Sequence, residues 1–165
     1  YTFIDFNRNE KAMAGLFEGF VRNFYKKEQS YFNVRREDIR WKAVPVENSD
    51  PSLLPKMQTD ITLESCNKKI VVETKYYKQT LAFNYSEKFH STNLYQIYSY
   101  LRNLEEDTRN PNNKNCEGML VYPTFQKEID EGYQMGNHKI RIATVDLSKD
   151  WNRIHSRLIH LISQN

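Results

Sequence analysis

The fold class this sequence predicts is an α/β sandwich, a central mixed sheet with helices packed on its faces. Three observations predict it. Apolar residues recur at helical spacing in three separated segments. Between those segments lie short runs, rich in β-branched residues, that alternate with period two or are continuously apolar. The resulting order is helix, strand, strand, strand, helix, strand, strand, helix, which suits helices layered on a mixed sheet.

Residues 9–28 open that order as an amphipathic helix. Met13, Leu16, Phe17, Phe20, Val21 and Phe24 make one stripe, with Glu18 at its edge beside Ala14 and Tyr25. Residues 34–44 read as a strand with Ile39 and Trp41 pointing inward, which puts Arg36, Arg40 and Lys42 on the other face. A solvated charged face and a phosphate-contacting one fit equally. Residues 45–57 hold three of the five prolines and read as a loop, with Lys56 near its end. Residues 58–77 read as a hairpin, followed by a polar stretch to Ser91 that contains Lys78, Lys88 and His90.

The second helix spans residues 93–106, with Leu94, Ile97, Tyr98, Leu101 and Leu104 as its stripe and Gln96 off it. Asn-Pro and Asn-Asn clusters mark residues 106–117 as a loop. Residues 118–123 are continuously apolar, a buried strand, and residues 139–147 alternate. A last amphipathic helix starts near Lys149 and uses Trp151, Ile154, Leu158, Leu161 and Ile162.

At 165 residues the chain is one domain with room for its own core. It is 39% hydrophobic and 27% charged, with a mean hydropathy of −0.80, a globular composition. No apolar run approaches a membrane span and no signal-peptide pattern opens the chain. A net charge of +3 does not announce nucleic acid. Cys66 and Cys116 stand fifty residues apart, with no further Cys or His at ligand spacing. Zinc and a disulfide framework are both disfavoured, and reduced thiols in a cytoplasmic protein are expected. The chain begins at Tyr1, so a single domain forming the C-terminal part of a longer protein is expected.

The chemistry concentrates in residues 59–77. Asp60 opens the first strand of the hairpin, and Ile70-Val71-Val72 in the second runs straight into Glu73-Thr74-Lys75. Strand alternation puts Glu73 and Lys75 on one face and Thr74 on the other. A hairpin brings Asp60, thirteen residues upstream, beside Glu73. Two carboxylates at adjacent strand ends can hold a hard cation through oxygens, joined by the Thr74 carbonyl and waters. The lysine, a compact positive charge, can orient a water and offset charge on a phosphate. A phosphodiesterase needs that set; an ordinary charged strand end is the plainer reading. Glu73-Thr74-Lys75 is the only Asp/Glu-x-Lys triplet in the chain.

The neighbouring blocks add to it. Leu16-Phe17-Glu18-Gly19-Phe20-Val21, Leu53-Leu54-Pro55-Lys56-Met57-Gln58-Thr59-Asp60-Ile61, Thr74-Lys75-Tyr76-Tyr77-Lys78 and Asn93-Leu94-Tyr95-Gln96-Ile97-Tyr98-Ser99-Tyr100-Leu101 occur in that order. Together they resemble the McrC family, the nuclease subunit of McrBC-type modification-dependent restriction systems, within the PD-(D/E)XK superfamily. The resemblance runs from about Phe3 to the C-terminus. One departure is that an aspartate is frequent in the family where Glu73 stands.

The resemblance implies an αβββαβ core and Mg²⁺-dependent cleavage of double-stranded DNA, with Mn²⁺ able to substitute. Asp60 and Glu73 would hold the metal, Lys75 would position water, and Gln96 would orient either. Glu18, which is otherwise the solvated border of a helix, becomes a further candidate ligand. Arg36, Arg40, Lys42, Lys56 and Lys78 are candidate DNA contacts. The resemblance also implies an AAA+ GTPase partner that reads modified cytosine, and pairing of complexes so that both strands are cut. No Gly-rich phosphate cradle exists among the five glycines, so specificity and energy would come from the partner. Two alternatives stand beside this: a non-catalytic binding domain of the same fold, or a related nuclease of another restriction or repair pathway.

Overall fold

The computed structural model describes residues 6–77, 88–124 and 128–163, with side chains from Asn9 onward. Three helices, α1 (Phe6–Glu28), α2 (Ser91–Glu105) and α3 (Trp151–Ser163), accompany eight strands among these residues. The strands are β1 (Asn33–Arg35), β2 (Asp38–Ile39), β3 (Met57–Gln58), β4 (Ile61–Glu64), β5 (Lys69–Thr74), β6 (Glu117–Pro123), β7 (Asp130–Met135) and β8 (His138–Val145). Six of them form one mixed sheet in the order β1-β4-β5-β6-β8-β7, and β2 and β3 pair separately. β4 is antiparallel to β5, which runs parallel to β6, and β6 runs parallel to β8. The α/β class expected from the sequence is therefore observed.

Alternation along the strands divides the core in two. Ile70, Val72, Met119, Val121, Ala143 and Val145 face α1 and α3, meeting Phe17, Val21, Phe24, Tyr25, Leu158 and Leu161. Val71, Leu120, Ile140 and Ile142 face α2, meeting Ile97, Tyr100, Leu101 and Leu104. β5 and β6 are buried on both faces, as strands in the parallel part of a layered sheet must be. Gly118 is what lets α2 sit close. A Cβ there would lie 2.9 Å from Leu101 Cδ1 and 3.0 Å from Ile97 Cδ1.

Several expectations are corrected. The strand read over residues 34–44 is two short pieces, β1 and β2, and residues 40–50 carry no regular structure. Ile39 is buried but Trp41 is 36% exposed, its indole donating to the Pro55 carbonyl at 2.6 Å. The shared face proposed for Arg36, Arg40 and Lys42 therefore does not exist, because only β1, ending at Arg35, joins the main sheet. Leu16 is 66% exposed, because the buried arc of α1 is turned toward Tyr25. Tyr98 and Trp151, placed on apolar stripes, are exposed, and Tyr100 is buried in place of Tyr98.

Strand β7 was not anticipated. Its Asp-Glu-Gly-Tyr-Gln-Met sequence has no apolar period, since an edge strand solvated along its length needs none. Gly136, at φ 60°, closes the two-residue turn into β8. Asp130 then ties the edge down through Arg141 at 2.7 Å and Arg157 at 2.6 Å. No described helix is long and apolar enough to cross a membrane.

Candidate active site

Strand pairing brings the two carboxylates together. β4 and β5 are in register at Ile61↔Val72, so Asp60, one residue before β4, falls beside Glu73 near the end of β5. The contact is reciprocal. The Asp60 N–H donates to Glu73 Oε1 at 2.9 Å. The Thr74 N–H and hydroxyl both donate to Asp60 Oδ2, at 2.8 and 3.0 Å. Each acid thus has one oxygen fixed by the neighbouring strand. Among the described residues Asp60 Oδ1 accepts no hydrogen bond, and Glu73 Oε2 forms an ion pair with Lys75 Nζ at 3.7 Å.

Lys75 lies just past β5, its N–H donating to the Val121 carbonyl at 2.9 Å, which extends the pairing with β6 by one residue. Its ammonium donates to Gln96 Oε1 at 2.6 Å. Gln96 Nε2 in turn donates to the Tyr100 hydroxyl at 3.0 Å, and that hydroxyl donates to the Gln58 carbonyl at 3.3 Å. The chain of bonds runs from the lysine through α2 and back to the segment leading into Asp60. Tyr100 was not singled out from the sequence. The available signal was its spacing of four from Gln96, which stacks the two side chains on one helical face.

Burial sets the electrostatics. Glu73 is 1% exposed and half-buried Asp60 sits against it. Desolvation first, then the Asp60 charge, pushes the Glu73 carboxyl well above the usual range, to about 8. Asp60 is also raised, chiefly by burial, with the charge of Glu18 adding to it and the Thr74 bonds opposing it. Two carboxylates crowded in a low-dielectric corner resist ionising together, so the pair holds on to a proton that a bound cation would replace.

Glu18 reaches this neighbourhood from α1, but its carboxylate is held by arginines. Its Oε1 accepts from Arg22, one turn along α1, and from Arg36. The remaining candidates are not gathered here. Arg40 is exposed. Lys42 pairs with Asp107 at 3.8 Å, its backbone N–H donating to Asn103 at 2.8 Å. Lys56 pairs with Asp38 at 3.0 Å. Lys78 lies outside the described residues. His90 precedes α2 and stacks on Tyr77, ring centroids 4.9 Å apart. Cys66 is exposed and Cys116 buried, and neither is part of the site.

Among the described residues no group of three or more His, Cys, Asp or Glu side chains is placed to hold a metal. A pair of carboxylates nonetheless suits Mg²⁺, which keeps several waters and needs only one or two protein acids. Asp60 Oδ1, which accepts no hydrogen bond among the described residues, and the outer oxygen of Glu73 fit that donor set.

A family profile, described as the McrBC 5-methylcytosine restriction system component, matches residues 11–123. The chain belongs to that family. All of the site residues just described, from Glu18 to Tyr100, fall within the matched span. One relative is the Type IV methyl-directed restriction enzyme EcoKMcrBC of Escherichia coli (strain K12). It is 36% identical over 165 residues, which is 99% of this chain and 46% of the relative. The chain therefore spans less than half the length of that McrBC relative.

Proposed function

We propose that this chain is the DNA-cleaving component of a methylcytosine-directed restriction complex, a Mg²⁺-dependent phosphodiesterase of the PD-(D/E)XK kind. The observation that carries the reading is the convergence of Asp60, Glu73, Lys75 and Gln96 at one end of β5. The succession α1, β1, β4, β5, α2, β6 supports the αβββαβ core. Membership of the McrBC family supports the biological setting. That setting is a prokaryotic cytoplasm, an AAA+ GTPase partner and double-stranded DNA. This domain forms the nuclease part of a longer protein, and complexes pair so that both strands are cut.

In this reading Asp60 and Glu73 hold the cation, helped by the Thr74 carbonyl and waters. When bound, the cation polarises the scissile phosphate and lowers the pKa of a coordinated water. The protein's own residues supply alignment. Lys75 has three N–H bonds: one is given to Gln96, a second faces Glu73, and the third is left for the attacking water or a phosphate oxygen. Gln96 keeps the ammonium from swinging away, and Tyr100 fixes which end of the Gln96 amide faces it. Pre-aimed donors of this kind need no reorganisation as charge develops on the phosphate.

Cleavage of methylated plasmid with Mg²⁺ tests the proposal, comparing the full-length wild-type protein with Lys75→Ala, each with and without the GTPase partner and GTP. Lys75→Ala is expected to cut at least about 10²–10³-fold more slowly while folding normally. A Lys75→Ala protein that cuts at the wild-type rate would sink the assignment. If no arm cuts although the partner binds, the chain is instead a non-catalytic subunit.

A further inference from the structure

Two chain ends meet beside Lys75, and each is of a kind that frays. The paired residues of β5 and β6 run out at Thr74 and Val121, and the Lys75 N–H adds one last backbone bond, to the Val121 carbonyl at 2.9 Å. Helix α2 begins at Ser91, and among the described residues its N-cap, His90, makes no side-chain capping bond. Strand ends past the last rung and uncapped helix starts open at small cost. Lys75 lies on the first of these ends and Gln96 in the second turn of the helix, yet the bond between them measures 2.6 Å.

Asn93 joins the two ends. It is 5% exposed and sits in the first turn of α2. An asparagine there ordinarily turns its side chain back to nearby backbone groups. Here it reaches across to the strands instead: Nδ2 donates to the Tyr77 hydroxyl at 2.9 Å and to the Tyr122 hydroxyl at 3.0 Å. The Tyr77 hydroxyl in turn donates to Asn93 Oδ1 at 3.2 Å. Tyr77 is two residues past Lys75, and Tyr122 follows the Val121 that holds the Lys75 backbone. The Tyr77 ring also stacks on His90 and Tyr122, with centroids 4.9 and 6.2 Å away. One amide thus bridges the strand beyond Lys75, β6 and the start of α2, three residues before Gln96 and on the same side of the helix.

Buried hydroxyls need a partner in any case; what sets this partner apart is its place. We infer that Asn93 is a positioning residue for the Lys75–Gln96 pair. It pins the strand end bearing the lysine and the helix start bearing the glutamine to the same two hydroxyls, so that ammonium and amide oxygen stay in contact. This rests on the nuclease reading above and adds a residue to it. Without the bridge, the single Lys75–Gln96 bond has to hold two fraying ends together, and the ammonium loses its fixed aim.

The test is NMR on the full-length protein with isotope-labelled glutamine side chains. The Gln96 amide signals are identified by their loss in Gln96→Ala, and Lys75→Ala marks where they move when the ammonium is absent. Asn93→Ala and Tyr122→Phe, which removes one hydroxyl only, are expected to move them toward the Lys75→Ala position. Thr92→Ala, at an exposed neighbour, leaves them in place, and circular dichroism establishes folding. Cleavage of a methylated duplex with Mg²⁺ and the GTPase partner supplies the second readout. Asn93→Ala lowers kcat about tenfold to a hundredfold, the cost of a small misplacement. It keeps KM within about twofold of wild type and adds no further loss in a Gln96→Ala background. Gln96 signals that stay put in the folded variants, or losses that multiply in the double variant, overturn the inference and leave the Asp60–Glu73 reading untouched. If wild type does not cut, the nuclease reading falls, and the Gln96 signals alone decide whether Asn93 holds that amide.

Discussion

Lys75 shows how far one side chain depends on its supports. An ammonium on four methylenes has many rotamers, and holding it in one costs entropy that a single surface ion pair rarely recovers. Here the 2.6 Å bond to Gln96 and the nearby Glu73 fix it from two sides. Gln96 would be free to flip its amide were it not for the Tyr100 hydroxyl, which accepts from Nε2 and donates to the Gln58 carbonyl. Tyr100→Phe removes only that hydroxyl. Leaving a partly buried amide short of a partner costs about 1–3 kcal/mol. The expected result is cleavage slowed roughly tenfold to a hundredfold at saturating DNA, since about 1.4 kcal/mol is a decade of rate. In the proposed reaction Tyr100 would act by positioning Gln96, so KM should stay within about twofold of wild type; steady-state kinetics on a methylated duplex separates the two. A fall confined to KM would remove Tyr100 from this role.

At the scale of elements, the site is the meeting of a hairpin and a helix that approach from different sides. Asp60 and Glu73 come from the antiparallel β4–β5 pair, so their proximity is a matter of register. Gln96 and Tyr100 come from α2, whose distance from the sheet is set at Gly118, where the Ile97 and Leu101 side chains fill the space of a missing Cβ. Gly118→Val has no room to be accommodated, because both contacted residues are fully buried. A loss of about 1–3 kcal/mol in urea denaturation is expected, the ordinary cost of overpacking. Cleavage should fall by more than the loss of folded protein explains, because the displaced helix carries Gln96 away from Lys75. Unchanged specific activity in the folded fraction would show that the helix has slack the packing does not suggest.

For the molecule as a whole, a buried acid pair is a stability cost with a definite pH signature. The Glu73 carboxyl is held up to about 8 by burial and then by the Asp60 charge, against an ordinary value of 4.5. The folded protein therefore keeps a proton that the unfolded chain releases, and stability falls as pH rises. This contribution is fully present below 4.5 and is lost as pH climbs to about 8. In metal-free buffer the melting temperature should drop across that window, and the drop should shrink in Glu73→Gln. In the proposed reading a divalent cation would bind the ionised pair, so the stabilisation given by added Mg²⁺ should grow with pH over the same range. A metal-free melting curve that is flat in pH would mean Glu73 is solvated and ionised throughout.

The sequence by itself determined the layered α/β class, the three helices and the strands that fill the core, because those segments bury one face and periodicity records which. It also determined the Asp60–Glu73–Lys75 set, since a hairpin fixes register and a strand fixes parity, both local properties. Gln96 was legible only as a candidate, because a hydrogen-bond partner 21 residues away leaves no periodic trace, and Tyr100, four residues on, gains its meaning only once Gln96 is placed. Strand β7 escaped because an edge exposed on both sides has no apolar pattern to read. The continuous strand over residues 34–44 failed for the opposite reason: its alternation was real, but only a few of its residues had a neighbour to pair with. What only the tertiary structure decided was the fate of charges. Lys69 and Lys75 stand at the two ends of one strand and read alike in sequence. Lys69 is buried, donating to Asn113 at 2.6 Å and Glu37 at 3.0 Å, and is spent on holding the fold. Lys75 keeps an N–H to spare beside two crowded carboxylates. The difference is which long-range partners consume the donors, and pairing across many residues of chain is settled by packing alone.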